Sequence, residues 1–278
     1  MAKWNPSNLT STLTMWFKAD SSDLAALSDG DSVSSWTNQA TPQNVTQGTA
    51  LRQPTLQTNE LNGKPVVRFD GTNDILSDGV VSDLNVGTGD IWFATVGKMT
   101  NTGGASFLFE KGPSAFGLSS TKAGALAFRL GSQTNIPSMN SGNWTRTDFF
   151  MTTASRVSST CNGFYNAAAT DTTGTTNTAN INNFNVFDVG AAAVGGNSLN
   201  GDIGEILVGG GTLLESERVK IESYLDDKYG LDTLPSTHEY KEFVAATGVH
   251  GVHNQDLIGE LVLDISGPVV SDTLAGVV

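Results

Sequence analysis

Glu110 and Glu205 each stand alone inside an apolar run of this 278-residue chain. A carboxylate so placed either serves chemistry through a shifted acidity or is held by a partner. Both are read as structural, on a solvent face or paired with an arginine. The three histidines, His238, His250 and His253, all fall in the last part of the chain. A Ser-His-Asp arrangement would need one of them to reach back to the preceding strands. His250 and His253 lie in Val249-His250-Gly251-Val252-His253, and two imidazoles at that spacing would need ligands from symmetry-related chains to hold a metal. They are read as ordinary loop or strand residues. Asp70, Asn73 and Asp74 offer the oxygen ligands that calcium takes, yet Asp70-Gly71-Thr72-Asn73-Asp74 is also a good turn sequence without the full Asp-x-Asp-x-Asp-Gly loop. With Cys161 as the only cysteine no internal disulfide can form, and a buried, inert thiol is expected.

The elements that would position these groups are mostly strands. Side chains two apart share a face of a sheet, so residues 12–19 put Leu13, Met15, Phe17 and Ala19 on one side and Thr12, Thr14, Trp16 and Lys18 on the other. Leu126, Phe128 and Leu130 share a face, as do Phe149, Met151 and Val157. Residues 91–98 are apolar on both faces, which predicts a central strand, and residues 201–208 read as another strand. Turn signals separate the runs at Asp29-Gly30, Asn62-Gly63, Asp70-Gly71 and Lys111-Gly112-Pro113. Residues 167–183, rich in Ala, Thr and Asn, hold too little apolar surface to offset their ordering entropy and are read as a long loop.

One helix is predicted over residues 214–229. Leu214, Ile221, Leu225 and Tyr229 recur on one face with Arg218 among them, Lys220, Ser223, Asp226 and Asp227 fall on the other, and Val219 is the apolar misfit. Gly230 suits the left-handed C-cap and Pro235 prevents continuation. Thr212 is the expected N-cap, since Leu214 cannot accept a hydrogen bond. The helix is expected to cover one end of the strand assembly.

Composition sets outer limits. The 31 glycines and only 15% charged residues suit short strands joined by turns. A formal net charge of -13 argues against nucleic-acid binding, whose affinity comes from Lys and Arg neutralising phosphates. No run approaches the roughly 20 apolar residues of a membrane span, and residues 1–6 lack the apolar core of an export signal. The expectation is a chain without membrane insertion and without Sec export. Under it, Asn8-Leu9-Thr10, Asn44-Val45-Thr46 and Asn143-Trp144-Thr145 are chance matches to a glycosylation acceptor.

Three places together resemble the laminin-G-like (LamG) jelly-roll domains of the concanavalin A-like lectin/glucanase superfamily. They are Met15-Trp16-Phe17-Lys18-Ala19-Asp20 running on to Asp29-Gly30-Asp31-Ser32-Val33-Ser34-Ser35-Trp36; the Asn62-Gly63-Lys64-Pro65 turn leading into Arg68-Phe69-Asp70-Gly71-Thr72-Asn73-Asp74; and the strand at 201–208 with its helix to Leu231. The resemblance implies an all-β, two-sheet antiparallel jelly-roll sandwich over residues 1–231, with one C-terminal amphipathic helix and an extended arm over 232–278. It also implies calcium at Asp70, Asn73 and Asp74, the one cofactor considered.

Retaining glucanases of that superfamily carry Glu-x-Asp-x-x-Glu on one strand, which this chain lacks, so no catalytic residue is assigned. Lectins stack sugars on aromatic faces. Trp4, Trp16, Trp36, Trp92 and Trp144 are the tryptophans available; Trp16, Trp36 and Trp92 sit in strands and read as core, leaving Trp144, in a loop, as the candidate carbohydrate-binding residue. LamG-like domains resembling this one occur in bacteriophage structural proteins. The reading is therefore a non-enzymatic virion component, a capsid decoration, head fibre or tail protein, assembled in the host cytoplasm and aiding adsorption to surface glycans. The alternatives are a soluble carbohydrate-binding module and a glycoside hydrolase. Its partners would be other virion proteins or copies of itself. An apolar strand in the arm, carrying Leu257, Ile258, Leu261, Leu263 and Ile265, is suited to adding onto a neighbour's sheet edge.

Overall fold

The computed structural model describes residues 4–80, 83–100, 105–112, 115–120, 126–131, 147–170, 173–182, 186–192 and 197–238. Trp144, His250, His253 and the arm residues Leu257, Ile258, Leu261, Leu263 and Ile265 lie outside them.

The first strands are β1 (Thr12–Lys18), β2 (Ser35–Trp36), β3 (Val45–Thr46), β4 (Thr55–Leu61), β5 (Lys64–Asp70) and β6 (Leu76–Val80). There follow β7 (Ile91–Met99), β8 (Ser106–Lys111), β9 (Phe116–Ser120), β10 (Leu126–Leu130) and β11 (Phe150–Val157). The rest are β12 (Thr160–Tyr165), β13 (Ala168–Ala169), β14 (Thr175–Thr176), β15 (Val186–Val189) and β16 (Asn200–Gly210), before the helix α1 (Glu215–Tyr229). They build two antiparallel sheets. The larger runs β13-β12-β11-β7-β16-β5-β4, with β1 also on β16 and β14 on β12; the smaller runs β10-β9-β8-β15-β6-β3-β2. This is the expected all-β sandwich with one helix.

The core lies between the sheets. Phe93 from the larger sheet meets Phe109, Phe116 and Phe128 of the smaller one at ring-centroid distances of 5.2, 6.0 and 5.3 Å, all edge-on. Alternation explains why β7 is central: Ile91, Phe93 and Met99 enter this inner core, whereas Trp92, Ala94 and Val96 enter a second apolar cluster on the outer face. That second cluster places α1. Ile221, Leu225 and Tyr229 pack on Trp16, Val66, Trp92, Val96, Met151 and Leu207, so the helix lies across the outer face of the larger sheet rather than capping one end of the sandwich.

Several local expectations change for physical reasons. Register shifts between Leu13 and Met15 where β1 pairs with β16. This bulge sends Leu13 to the outer cluster while Met15 and Phe17 stay inside. Leu214 precedes the helix and is 52% exposed, so it is not on the apolar face. Thr212 does not cap; its hydroxyl donates to Asp90 Oδ2 at 2.6 Å. Instead Glu217, in the first turn, accepts from the Thr10 and Ser11 amides at 2.6 and 3.2 Å and ties the helix start to the chain before β1. Val219 is no misfit: it is buried, and so are Ser223 and Asp226, which the helical pattern had put outside. Gly230 adopts φ 57°, the left-handed cap expected of it.

Residues 167–183 are not wholly loop. β13 and β14 both pair with β12, and the buried Arg156 guanidinium donates to the Ala179 carbonyl at 2.7 Å and the Gly87 and Gly89 carbonyls at 3.0 and 2.7 Å. A fixed cation supplies the order that apolar surface cannot. Cys161 is buried as expected, and burial pushes its thiol pKa up, away from reactive thiolate.

Candidate functional site

The site begins at an irregularity in β16. Along one edge β16 pairs with β7 throughout, with a register shift between Ile203 and Glu205, and its other edge is shared by two strands placed end to end. Asn200 to Ile203 pair with β5, and from Glu205 onward the partner is β1, which faces Glu205 with Lys18. Gly204 lies at this handover. Its carbonyl accepts from the Ala19 amide and the Tyr229 hydroxyl, each at 2.9 Å. A Cβ at this position would stand 2.9 Å from the Tyr229 ring, so only glycine lets the helix settle here.

Three segments converge on the gap between β1 and β5. The end of β1 brings Lys18 and Asp20, the β4–β5 hairpin brings Asn62 and Lys64, and the last turns of α1 bring Tyr224, Asp227, Lys228 and Gly230. With Trp4 and Asn5 from the chain ahead of β1, they line an open pocket of about 590 Å³. Asn62 fixes the hairpin to the helix. At φ 49° followed by Gly63 at φ 80° it makes a tight primed turn, and its side-chain amide donates to the Tyr229 and Gly230 carbonyls at 2.8 and 2.7 Å. Those carbonyls would otherwise be orphans of the helix end.

Beneath the pocket floor sits Glu205, fully buried. It accepts from Trp16 Nε1 at 2.6 Å, Lys228 Nζ at 2.7 Å, the Tyr224 hydroxyl at 3.0 Å and the Tyr229 hydroxyl at 3.1 Å. Lys228 also reaches Asp20 at 2.8 Å. Burial, and then the Glu205 charge, push the pKa of both tyrosine hydroxyls far above the usual value, so they stay protonated donors. The expectation of a solvent face or an arginine partner for Glu205 is thus replaced by a buried carboxylate held by lysine, two tyrosines and a tryptophan. Trp4 stands edge-on to Tyr224, with centroids 6.2 Å apart and planes at 69°, so an angled aromatic corner forms one wall.

Other residues named from the sequence lie elsewhere. Glu110 is buried on β8 of the opposite sheet, where Arg129 feels its charge, so the two isolated glutamates are not brought together. Trp16, Trp36 and Trp92 are buried, as expected of core residues. At the end of β5, Asp70 Oδ1 accepts from the Thr72 amide at 2.7 Å and Asp74 Oδ2 from the Asp70 amide at 2.9 Å, so both carboxylates brace the turn, Asn73 included. Burial, and then Asp70, push the Asp74 carboxyl up to about 6. Among the described residues no group of three or more His, Cys, Asp and Glu is set to hold a metal ion. His238 does reach back: it is buried, with Nε2 3.4 Å from Glu222 on α1, and Leu234 joins the outer cluster.

Trp4 and the Glu205 ring escaped the sequence reading. Trp4 precedes any periodic element, and the strand pattern cannot show what covers a sheet's outer face. One signal was present: the apolar outward positions Trp16, Trp92 and Leu207 announce a covering layer.

No family model matches this chain, and no curated protein matches it. Solved structures do. Trypanosoma rangeli sialidase in complex with sialic acid aligns at TM-score 0.54 and 13% identity over 77% of this chain and 33% of its own. Domain 4 of AbnA, a GH43 extracellular arabinanase from Geobacillus stearothermophilus, in complex with arabinotriose, aligns at 0.52 and 13% over 76% of this chain and 98% of that domain. The binding domain of Paraclostridial Mosquitocidal Protein 1 aligns at 0.54 and 11% over 78% and 52%. The chain thus spans about a third of the sialidase's length, and the likeness is one of fold.

Proposed function

We propose that this sandwich is a non-catalytic carbohydrate-binding module whose sugar site is the pocket over Gly204. The observation that carries the reading is the pairing of a half-buried aromatic corner, Trp4 with Tyr224, with a rim of hydrogen-bonding side chains, Lys18, Asp20, Asn62, Lys64 and Asp227. Pyranose rings offer an apolar face to aromatics and hydroxyls to polar groups, so such a wall and rim suit them. The arabinotriose complex of the AbnA domain, which shares the fold along its whole length, supports the class without fixing the site. Glu205 enters as a positioning residue that holds Tyr224 and Lys228 at the pocket.

The expected result is that Trp4→Ala weakens the best ligand of a glycan array at least tenfold, roughly 1.4 kcal/mol, in calorimetric titration, with the circular dichroism spectrum unchanged. Full affinity in that variant would move the site elsewhere, with Trp144 the next residue to substitute.

The carrier in this reading is a bacteriophage particle, because residues 15–36, 61–74 and 201–231 resemble LamG-like domains and such domains occur in phage structural proteins. Residues beyond His238 would then act as the attaching arm, contacting virion proteins or other copies of the chain. A chain ending at His238 keeps Leu234 and His238 in place. It is expected to fold and to bind glycan while losing any higher oligomer seen for the full chain in light scattering; an unchanged mass for an oligomeric full chain would remove the arm from assembly.

A further inference from the structure

The charges around the pocket differ in whether they are already engaged. Lys228 is spanned by Asp20 and Glu205, at 2.8 and 2.7 Å. The helix-end carbonyls are served as well: those of Tyr229 and Gly230 by Asn62, and those of Asp226 and Asp227 by the Leu231 and Gly230 amides. Two lysines remain. Among the described residues, neither Lys18 nor Lys64 has a carboxylate within ion-pair distance, and the Lys18 ammonium lies 5.2 Å over the Trp16 ring. A chain with nearly twice as many acids as bases, 28 to 15, would be expected to surround its lysines with carboxylates. Here two uncommitted cations flank one pocket.

Their backbone positions are set by the topology rather than by a mobile loop. Lys18 ends β1 opposite Glu205, and Lys64 opens β5 opposite Leu61, so both stand at the handover of β16 from one strand to the other. Their flexible stems let the ammonium groups close on a ligand while the strands hold their origins.

We propose that the pocket selects an acidic oligosaccharide, whose carboxylate or sulfate is held by Lys18 and Lys64 while a sugar ring lies against Trp4 and Tyr224. This rests on the carbohydrate-binding reading and narrows it to a ligand class. A neutral sugar offers the two ammonium groups only hydroxyls; an anion gains charge-assisted hydrogen bonds, roughly twice as strong. Local attraction of this kind operates within about 10 Å at 0.1 M salt, so the chain's net negative charge does not forbid it.

The test titrates the full chain with trigalacturonic acid, sialyllactose, a sulfated heparin tetrasaccharide, and neutral maltotriose and arabinotriose. The acidic probes are expected to bind at least tenfold more tightly than the neutral ones, with affinity falling as salt rises. Preference between the carboxylate and sulfate probes identifies the anion. The double variant Lys18→Gln/Lys64→Gln is expected to lose at least tenfold on the acidic probe and much less on the neutral sugars, so that the preference between them disappears, and to melt at the parent temperature. Equal affinity for neutral sugars with no effect of the lysine changes would overturn the acidic preference and leave the carbohydrate reading intact, provided Trp4→Ala still weakens binding at least tenfold. Binding of none of the five probes would overturn both.

Discussion

Glu205→Ala is expected to cost about 3–5 kcal/mol of folding stability, the scale seen when one partner of a buried charge pair is removed. The substitution strips the shared acceptor from Trp16 Nε1, Lys228 Nζ and two tyrosine hydroxyls at a fully buried position. A buried donor left unpaired costs roughly 1–3 kcal/mol. The Lys228 charge keeps Asp20, which is more exposed, so some of the loss is recovered there. Glu205→Gln keeps an acceptor oxygen and the volume, and is expected to lose less than half as much. The order of the two variants in urea unfolding is the check. Near-parent stability for Glu205→Ala would mean that the four donors do not depend on this carboxylate. The same variant is expected to loosen the pocket wall, since Tyr224 loses the group that fixes its hydroxyl.

The second large effect lies on the other face of the same sheet. Phe93→Ala is expected to cost about 3–5 kcal/mol, the range for removing a buried aromatic. Phe93 is where β7 of one sheet touches β8, β9 and β10 of the other, through three edge-on ring contacts. Rigid strands on both sides prevent collapse into the space left behind, which puts the cost at the upper end of that range. Phe93→Leu refills most of the volume and is expected to cost about 1–2 kcal/mol. Unfolding in denaturant separates these values; a loss below about 1 kcal/mol for Phe93→Ala would mean that the sheets close over the gap.

The two residues illustrate which parts of this molecule can be read from its sequence. Phe93 was legible, because β7 is apolar on both faces and only a central, doubly covered strand tolerates that pattern. Asn62-Gly63 and Gly230 were legible too, since each needs a backbone conformation few residues adopt. Glu205 was visible only as an anomaly. One of its four donors comes from β1, 189 positions away, and three from α1, and periodicity carries no information about which element will lie on a sheet's outer face. The helix misled for a related reason. Ser223 and Asp226 fall on the solvent face of the amphipathic pattern, yet both are buried, as are Arg218 and Glu222, beside neighbours the pattern does not contain. Trp4 was passed over because it belongs to no periodic element, although the pocket places it at the aromatic wall.

The sharing of β16 between β1, β5 and β7 also bears on how the chain reaches this state. Trp16 and Glu205 are 189 positions apart, and β16 forms the middle of the larger sheet. Until residue 210 has been synthesised, β1 has no partner strand in that sheet, β5 has only its hairpin with β4, and β7 lacks one of its two neighbours. Such distant pairings must offset a large loop-closure entropy before they return any stabilisation, which makes folding slow and leaves apolar strand edges open meanwhile. The sheet is thus completed in one late step by its most central strand, and the growing chain would gain most from a chaperone between the synthesis of β7 and that of β16.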